Sequence, residues 1–152
     1  MMKRKYYRFV LIVYLVSVCI ATNSLAASST AWEQIVRMGP GINLGNVFDA
    51  PKGEGTWWKG TAREEFFDDF KAAGFKNVRL PVTWQNHMAE TEPYTIDKKF
   101  MERIAEVVGW AIERKLVVVL NAHHDEWFKN DPNGQMKKFE ALWRQIATRF
   151  KD

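Results

Sequence analysis

Cysteine is nearly absent from this 152-residue chain, and the single instance, Cys19, falls in the apolar amino-terminal segment. A disulfide framework is thereby excluded, so stability has to come from a packed core. Long hydrophobic runs are equally scarce. The longest, Phe9 to Ala21, is short for a membrane span, which needs about 20 apolar residues, and Thr22, Asn23 and Ser24 end it. Lys3, Arg4, Lys5 and Arg8 precede that run and the small-x-small series Ser24-Leu25-Ala26 follows it. This is the order of a secretory signal peptide cleaved before Ala27. Residues 1–26 are therefore expected to direct secretion, to the extracellular space or a periplasm, and to be absent from the folded domain.

An excess of one charge sign is missing as well. The formal charge of +4 is carried by the signal segment, whose four basic residues have no acidic counterpart; the remainder holds 18 basic and 18 acidic side chains. Nothing electrostatic singles out nucleic acid, or a membrane after signal cleavage, as a partner. What the chain has in abundance is aromatic rings, seven tryptophans and ten phenylalanines. About 126 residues follow the signal, enough for one modest domain that buries about two thirds of its unfolded surface. Aromatic rings fill cores, and they also make platforms on which sugar rings lie.

The hydrophobic pattern alternates between short strands and longer helices. Trp32, Ile35 and Val36 mark a covering helical turn before a first strand over Gly41–Gly45. A loop rich in Gly, Pro and Trp follows, from Asn46 to Gly60. Thr61-Ala62-Arg63-Glu64 reads as a capping box opening a helix whose Phe66, Phe67, Phe70 and Ala73 share a face, with Gly74 as its C-cap. Strand two is expected over Lys76–Leu80, ended by Pro81, since proline cannot continue a central ladder. Asp97 can cap a helix carrying Phe100, Ile104, Val107, Val108, Ala111 and Ile112 at helical spacing. Leu116–Leu120 is an uninterrupted apolar run, as expected of a strand covered on both faces. Beyond the Asp131-Pro132-Asn133-Gly134 turn, Phe139, Leu142, Trp143, Ile146 and Phe150 mark a further amphipathic helix.

Three βα units in series imply a parallel sheet with outer helices. Their spacing is that of a (β/α)8 barrel, which needs eight units, so residues 27–152 are expected to be the amino-terminal part of a longer catalytic domain, truncated before strand four. Active sites of such folds gather at the carboxyl ends of the strands, which here carry Asn46, Arg79, His123 and His124. Arg79 lies between apolar neighbours, so its guanidinium requires a partner; a carboxylate there would be held ionised by the cation. Successive side chains on a regular strand face opposite ways, so only one of His123 and His124 is expected at the mouth. Adjacent histidines make a poor chelate on a strand and no second ligand cluster is evident, so neither metal nor cofactor is expected. Asn43, Asn46 and Asp49 also suit turn chemistry. Trp57, Trp58, Trp84 and Trp127 fall in loops after strands, away from core-building helix faces, which favours one or two of them as sugar platforms.

Three stretches, Gly41-Ile42-Asn43-Leu44-Gly45-Asn46, Ala73-Gly74-Phe75-Lys76-Asn77-Val78-Arg79-Leu80-Pro81-Val82-Thr83-Trp84 and Asn121-Ala122-His123-His124, occur in the order and spacing of one family. In them the chain resembles glycoside hydrolase family 5, the cellulase family, over its first three βα units. The resemblance implies a retaining hydrolysis of β-1,4-linked polysaccharide by two glutamates, an acid/base in an Asn-Glu-Pro motif after strand four and a nucleophile on strand seven, both beyond Asp152. It also implies that Arg79 hydrogen-bonds the nucleophile, that His123 contacts sugar at the cleavage subsite, and that His124 lines the same region. Asn46, Asp49 and Pro81 match substrate-side positions, with Trp57 as the aromatic contact. The complete enzyme is expected to be a monomer acting on a polysaccharide. A noncatalytic carbohydrate-binding domain and a metal-dependent hydrolase barrel are the competing readings; the βα periodicity opposes the first and the histidine spacing the second.

Overall fold

The computed structural model describes residues 30–151; the expected signal peptide and its cleavage position lie outside them. Residues 32–152 form one compact unit, and the fold that follows is that unit's. Helix α1 (Ala31–Met38) is followed by strand β1 (Gly41–Asn43), helix α2 (Glu65–Ala72), strand β2 (Asn77–Val82), a 3-10 turn at Gln85–His87, helix α3 (Lys98–Glu113), strand β3 (Val117–Ala122), the short helix α4 (Glu126–Asn130) and helix α5 (Met136–Arg149).

The strands form one parallel sheet in the order β1-β2-β3, with Asn43 opposite Arg79 and the β2–β3 ladder running from Asn77 opposite Val117 to Val82 opposite Ala122. This is three consecutive βα units of a (β/α)8 barrel, with the carboxyl ends of all three strands on one side. Between sheet and helices lies the core of Phe67, Val78, Leu80, Val82, Trp84, Ile104, Val107, Ala111, Leu142 and Ile146. No helix among the described residues is long and apolar enough to cross a membrane.

Local chemistry explains most element ends. Asp97 Oδ1 accepts from the Phe100 amide at 2.8 Å and opens α3. Behind α2, Gly74 adopts φ +89°, and the amides of Gly74 and Phe75 donate to the carbonyls of Lys71 and Phe70, the paired bonds of a Schellman ending. The expected capping box does not form. The helix starts at Glu65, later than the box requires; Glu64 takes the N-cap place at helical φ −58°, ψ −39° without a side-chain cap, and its carboxylate pairs with Arg114 at 2.9 Å.

Pro81 does not end β2, which runs on to Val82. Backbone groups along a strand turn to alternate neighbours, and Arg79 gives its carbonyl to Leu44 on the β1 side. Pro81, two residues on, faces that same side, where β1 has already ended, so its missing amide breaks no ladder bond. Other expectations shift in similar ways. The apolar residues of α1 form a helix that buries none of them. Ile112, 100° round from buried Ala111, is exposed, as is Ala73. Residues of β3 are only half-buried because this strand has a ladder partner on one side alone among the described residues.

Candidate active site

Three strand ends and the loops behind them build the site. Arg79, the third of the six residues of β2 and opposite Asn43 at the end of β1, points its guanidinium across the sheet toward both neighbours. Nη1 donates to Asn43 Oδ1 at 2.6 Å, and Nη2 stands 3.5 Å from His123 Nδ1. Its partners among the described residues are thus a neutral amide and an imidazole.

Both histidines reach the mouth, contrary to the expectation of one. The His123 amide still donates to Val82 O at 2.8 Å, as a continuing ladder would. At His124 the chain turns into the left-handed region, φ +54°, and breaks the alternation that would have sent its ring to the other face. The two rings therefore sit 4.2 Å apart. One imidazole nitrogen from each and a carboxylate oxygen of Asp49 all lie within 4.8 Å of one another. The view of adjacent histidines as a poor chelate assumed a regular strand, and this strand is irregular where it matters.

Burial lowers the His123 pKa below 6.5, helped by His124 and Arg79 and opposed by Asp49. The ring is thereby kept neutral and able to hydrogen-bond a hydroxyl in either direction.

The loop after β1 forms one wall. Asn46 reverses the chain at φ +63°, and Val47 and Phe48 then turn into the core. Thr83, just past β2, ties this loop down: its amide donates to Phe48 O at 3.0 Å and its hydroxyl to Asp49 O at 2.8 Å. Glu54 holds the far end. Its carboxylate accepts from Arg103 of α3 and from the Ala62 amide at 2.8 Å. Between these anchors Trp57 remains 52 % exposed, its ring edge-on to His124 at 5.7 Å between centroids.

The opposite wall follows β3. Asp125 is buried and its Oδ1 accepts from Trp127 Nε1 at 2.9 Å; burial raises its pKa, with that bond opposing. Lys138 of α5, which no apolar pattern would assign to the interior, is 5 % exposed, pairs with Glu90 at 2.7 Å and sits over the Trp127 ring.

Among the described residues, Asp49 Oδ1, Asn121 Oδ1 and Asp125 Oδ2 are buried side-chain oxygens without a hydrogen-bond partner. Buried polar atoms are normally paired. These belong to residues at, or just after, the ends of β1 and β3.

Arg79, His123, His124, Asp49 and Trp57 thus come together, with Asn46 exposed at the turn that enters their loop. Pro81 and Trp84 do not join them. Both are almost wholly buried, Pro81 within β2 and Trp84 against Phe100 with its indole N–H on Asn121 O. Neither offers surface to a polymer. Trp58 leans instead on Phe66. Sequence reasoning missed the roles of Asn43, Glu54, Arg103 and Lys138. Glu54–Arg103 and Glu90–Lys138 are separated by 49 and 48 residues, which no local pattern announces.

Residues 41–152 match the family model for Cellulase, glycosyl hydrolase family 5. The chain belongs to this family. Endoglucanase H of Acetivibrio thermocellus is 54 % identical over 121 residues, 80 % of this chain and 13 % of that protein. Endoglucanase B of Paenibacillus lautus is 36 % identical over 135 residues, 84 % of this chain and 24 % of that one. Among solved structures, Thermotoga maritima Cel5A in complex with mannotriose superimposes with a TM-score of 0.77 at 44 % identity, over 81 % of this chain and 39 % of that one. A tri-modular family 5, subfamily 4 endo-β-1,4-glucanase from Bacillus licheniformis, complexed with cellotetraose, gives 0.73 at 45 % identity, over 79 % and 24 %. The chain thus spans well under half of each relative's length. The 39 % of Cel5A is close to three βα units in eight.

Proposed function

We propose that this chain supplies the β1–β3 side of the cleft of an exported endo-β-1,4-glucanase or mannanase, and that the parent enzyme hydrolyses O-glycosidic bonds with retention. The convergence of Arg79, His123, His124 and Trp57 at the strand ends, within a family of glycosyl hydrolases, carries this reading. Two glutamates, acid/base and nucleophile, would come from beyond Asp152 and stand about 5 to 5.5 Å apart across the bond.

The roles follow from the geometry. Arg79 is anchored by its hydrogen bond to Asn43, and its cation favours the ionised form of a carboxylate arriving beside it. Neutral His123 can accept from or donate to a sugar hydroxyl, and His124 extends that polar surface toward Trp57. The exposed face of Trp57 offers an apolar platform at the rim. Export is supported by the basic, apolar and small-residue series of the first 26 residues.

The test begins with the gene beyond codon 152, where a fourth strand ending in Asn-Glu-Pro and a later strand-end glutamate are expected. The full-length product is then assayed on carboxymethylcellulose and on mannan. Arg79→Ala is expected to lower kcat by about 100-fold or more while changing KM by less than about threefold, because the lost interaction acts on the nucleophile. An inert full-length product would overturn the hydrolase reading, and an unchanged kcat would remove Arg79 from the mechanism.

A further inference from the structure

We propose that Asp49, His123 and His124 form a binding site for a divalent transition metal of the zinc class. Two imidazole nitrogens and one carboxylate oxygen lie within 4.8 Å of one another. A tetrahedral zinc, with bonds of about 2.0 to 2.1 Å, spaces its ligands about 3.4 Å apart. Small rotations about the side-chain bonds would close that difference, and a two-histidine, one-carboxylate set suits zinc and its neighbours by ligand type.

A second observation points to a ligand independently. Asp49 is 6 % exposed and its Oδ1 has no hydrogen-bond partner among the described residues. Leaving a buried carboxylate oxygen unpaired is costly, and a cation would relieve that cost. The Asp49 carboxylate cannot easily swing out to water, since Thr83 pins the backbone at Phe48 and Asp49. The left-handed turn at His124 completes the set by bringing consecutive imidazoles together.

Arg79 opposes the metal. Its Nη2 stands 3.5 Å from His123 Nδ1, where it adds positive charge beside the site. Only one formal negative charge, that of Asp49, faces the ion within the set. The site should therefore bind reversibly, with a dissociation constant on the order of 10 μM, rather than hold a resident cofactor. The same side chains are those assigned to sugar above, so inhibition by the metal would follow, and only that consequence rests on the hydrolase reading.

Titration calorimetry of the 152-residue chain with zinc chloride, in a non-coordinating buffer, tests binding without reference to activity. One equivalent is expected to bind, with affinity falling at least tenfold in Asp49→Asn and in His124→Gln and staying at the parent value in His87→Gln. Circular dichroism checks the fold of each variant. Should Asp49→Asn fail to fold, His124→Gln decides, since His124 is half-buried at the mouth. Absence of binding at millimolar zinc, or unchanged affinity in His124→Gln, would overturn the site.

Discussion

The loop that carries Asp49 and Trp57 is held to α3 by a clamp whose strength can be measured. Glu54 Oε1 accepts from Arg103 Nη2 at 2.9 Å and from the Ala62 amide at 2.8 Å, while Oε2 accepts from Arg103 Nε at 3.0 Å. The Arg103 Nη2 group also donates to Ala62 O at 2.8 Å, and the guanidinium lies over the Trp110 ring at 5.0 Å. The two side chains are 26 % and 18 % exposed, which separates this pair from an ordinary surface ion pair worth about 0 to 1 kcal/mol. Bonds to charged groups contribute about 1.5 to 3 kcal/mol net. Partial exposure and the ordering of two long side chains offset some of that, so a double-mutant cycle on Glu54→Ala and Arg103→Ala should give a coupling of about 2 kcal/mol. Arg103→Ala should cost more than Glu54→Ala, because Glu106 and Trp110 still hold the arginine when Glu54 is gone. Urea unfolding of the four proteins measures all three energies. Hydrogen exchange over residues 47–60 should speed up in both single variants. A coupling below about 0.5 kcal/mol would refute the reasoning and return the pair to the surface class.

Glycine substitutions should separate backbone clash from backbone strain. Gly55 has φ +67° and an added Cβ would meet Gly60 O at 1.4 Å, whereas Gly74 has φ +89° with nothing within 4 Å. Gly74→Ala is expected to cost about 1 kcal/mol and Gly55→Ala several times that in the same urea assay; equal costs would contradict the tight loop. Leu142, fully buried on the inner face of α5, should cost about 2 to 5 kcal/mol on Leu142→Ala, and a smaller loss would mean the helix is not packed as described. Stability should also fall on acidification. Burial lowers the pKa of His87, stacked on Phe100 at 3.6 Å, with Asp97 opposing, and His123 is lowered too. The unfolded chain, with histidines near 6.5, takes up protons first, so stability present above that pH is lost as pH falls toward the folded values. The urea midpoint should be lower at pH 5 than at pH 7.5 and the gap narrower in His87→Gln; a gap unchanged by that substitution would exclude His87 as a source.

The amino-acid sequence by itself determined the three βα units, the Asp97 cap, the Gly74 ending, the location of the histidine pair at the end of β3 and that of Arg79 within β2. Those features depend on residues close together in the chain, where periodicity and cap chemistry act directly. It also carried the three family stretches, which run through those same strand ends. Tertiary structure alone decided which side chains meet. Proline could stay inside β2 only because β1 ends early. His123 and His124 share the mouth only because the chain turns left-handed between strand and loop. Glu54 found Arg103 and Lys138 found Glu90 across nearly fifty residues, and charged residues look alike in sequence whether solvated or enclosed. Trp84 and Trp57 are likewise the same residue type in similar loops, one buried against Phe100 and the other open at the rim. What separates them is the space left by neighbouring elements, a property of the packed fold and not of any local stretch.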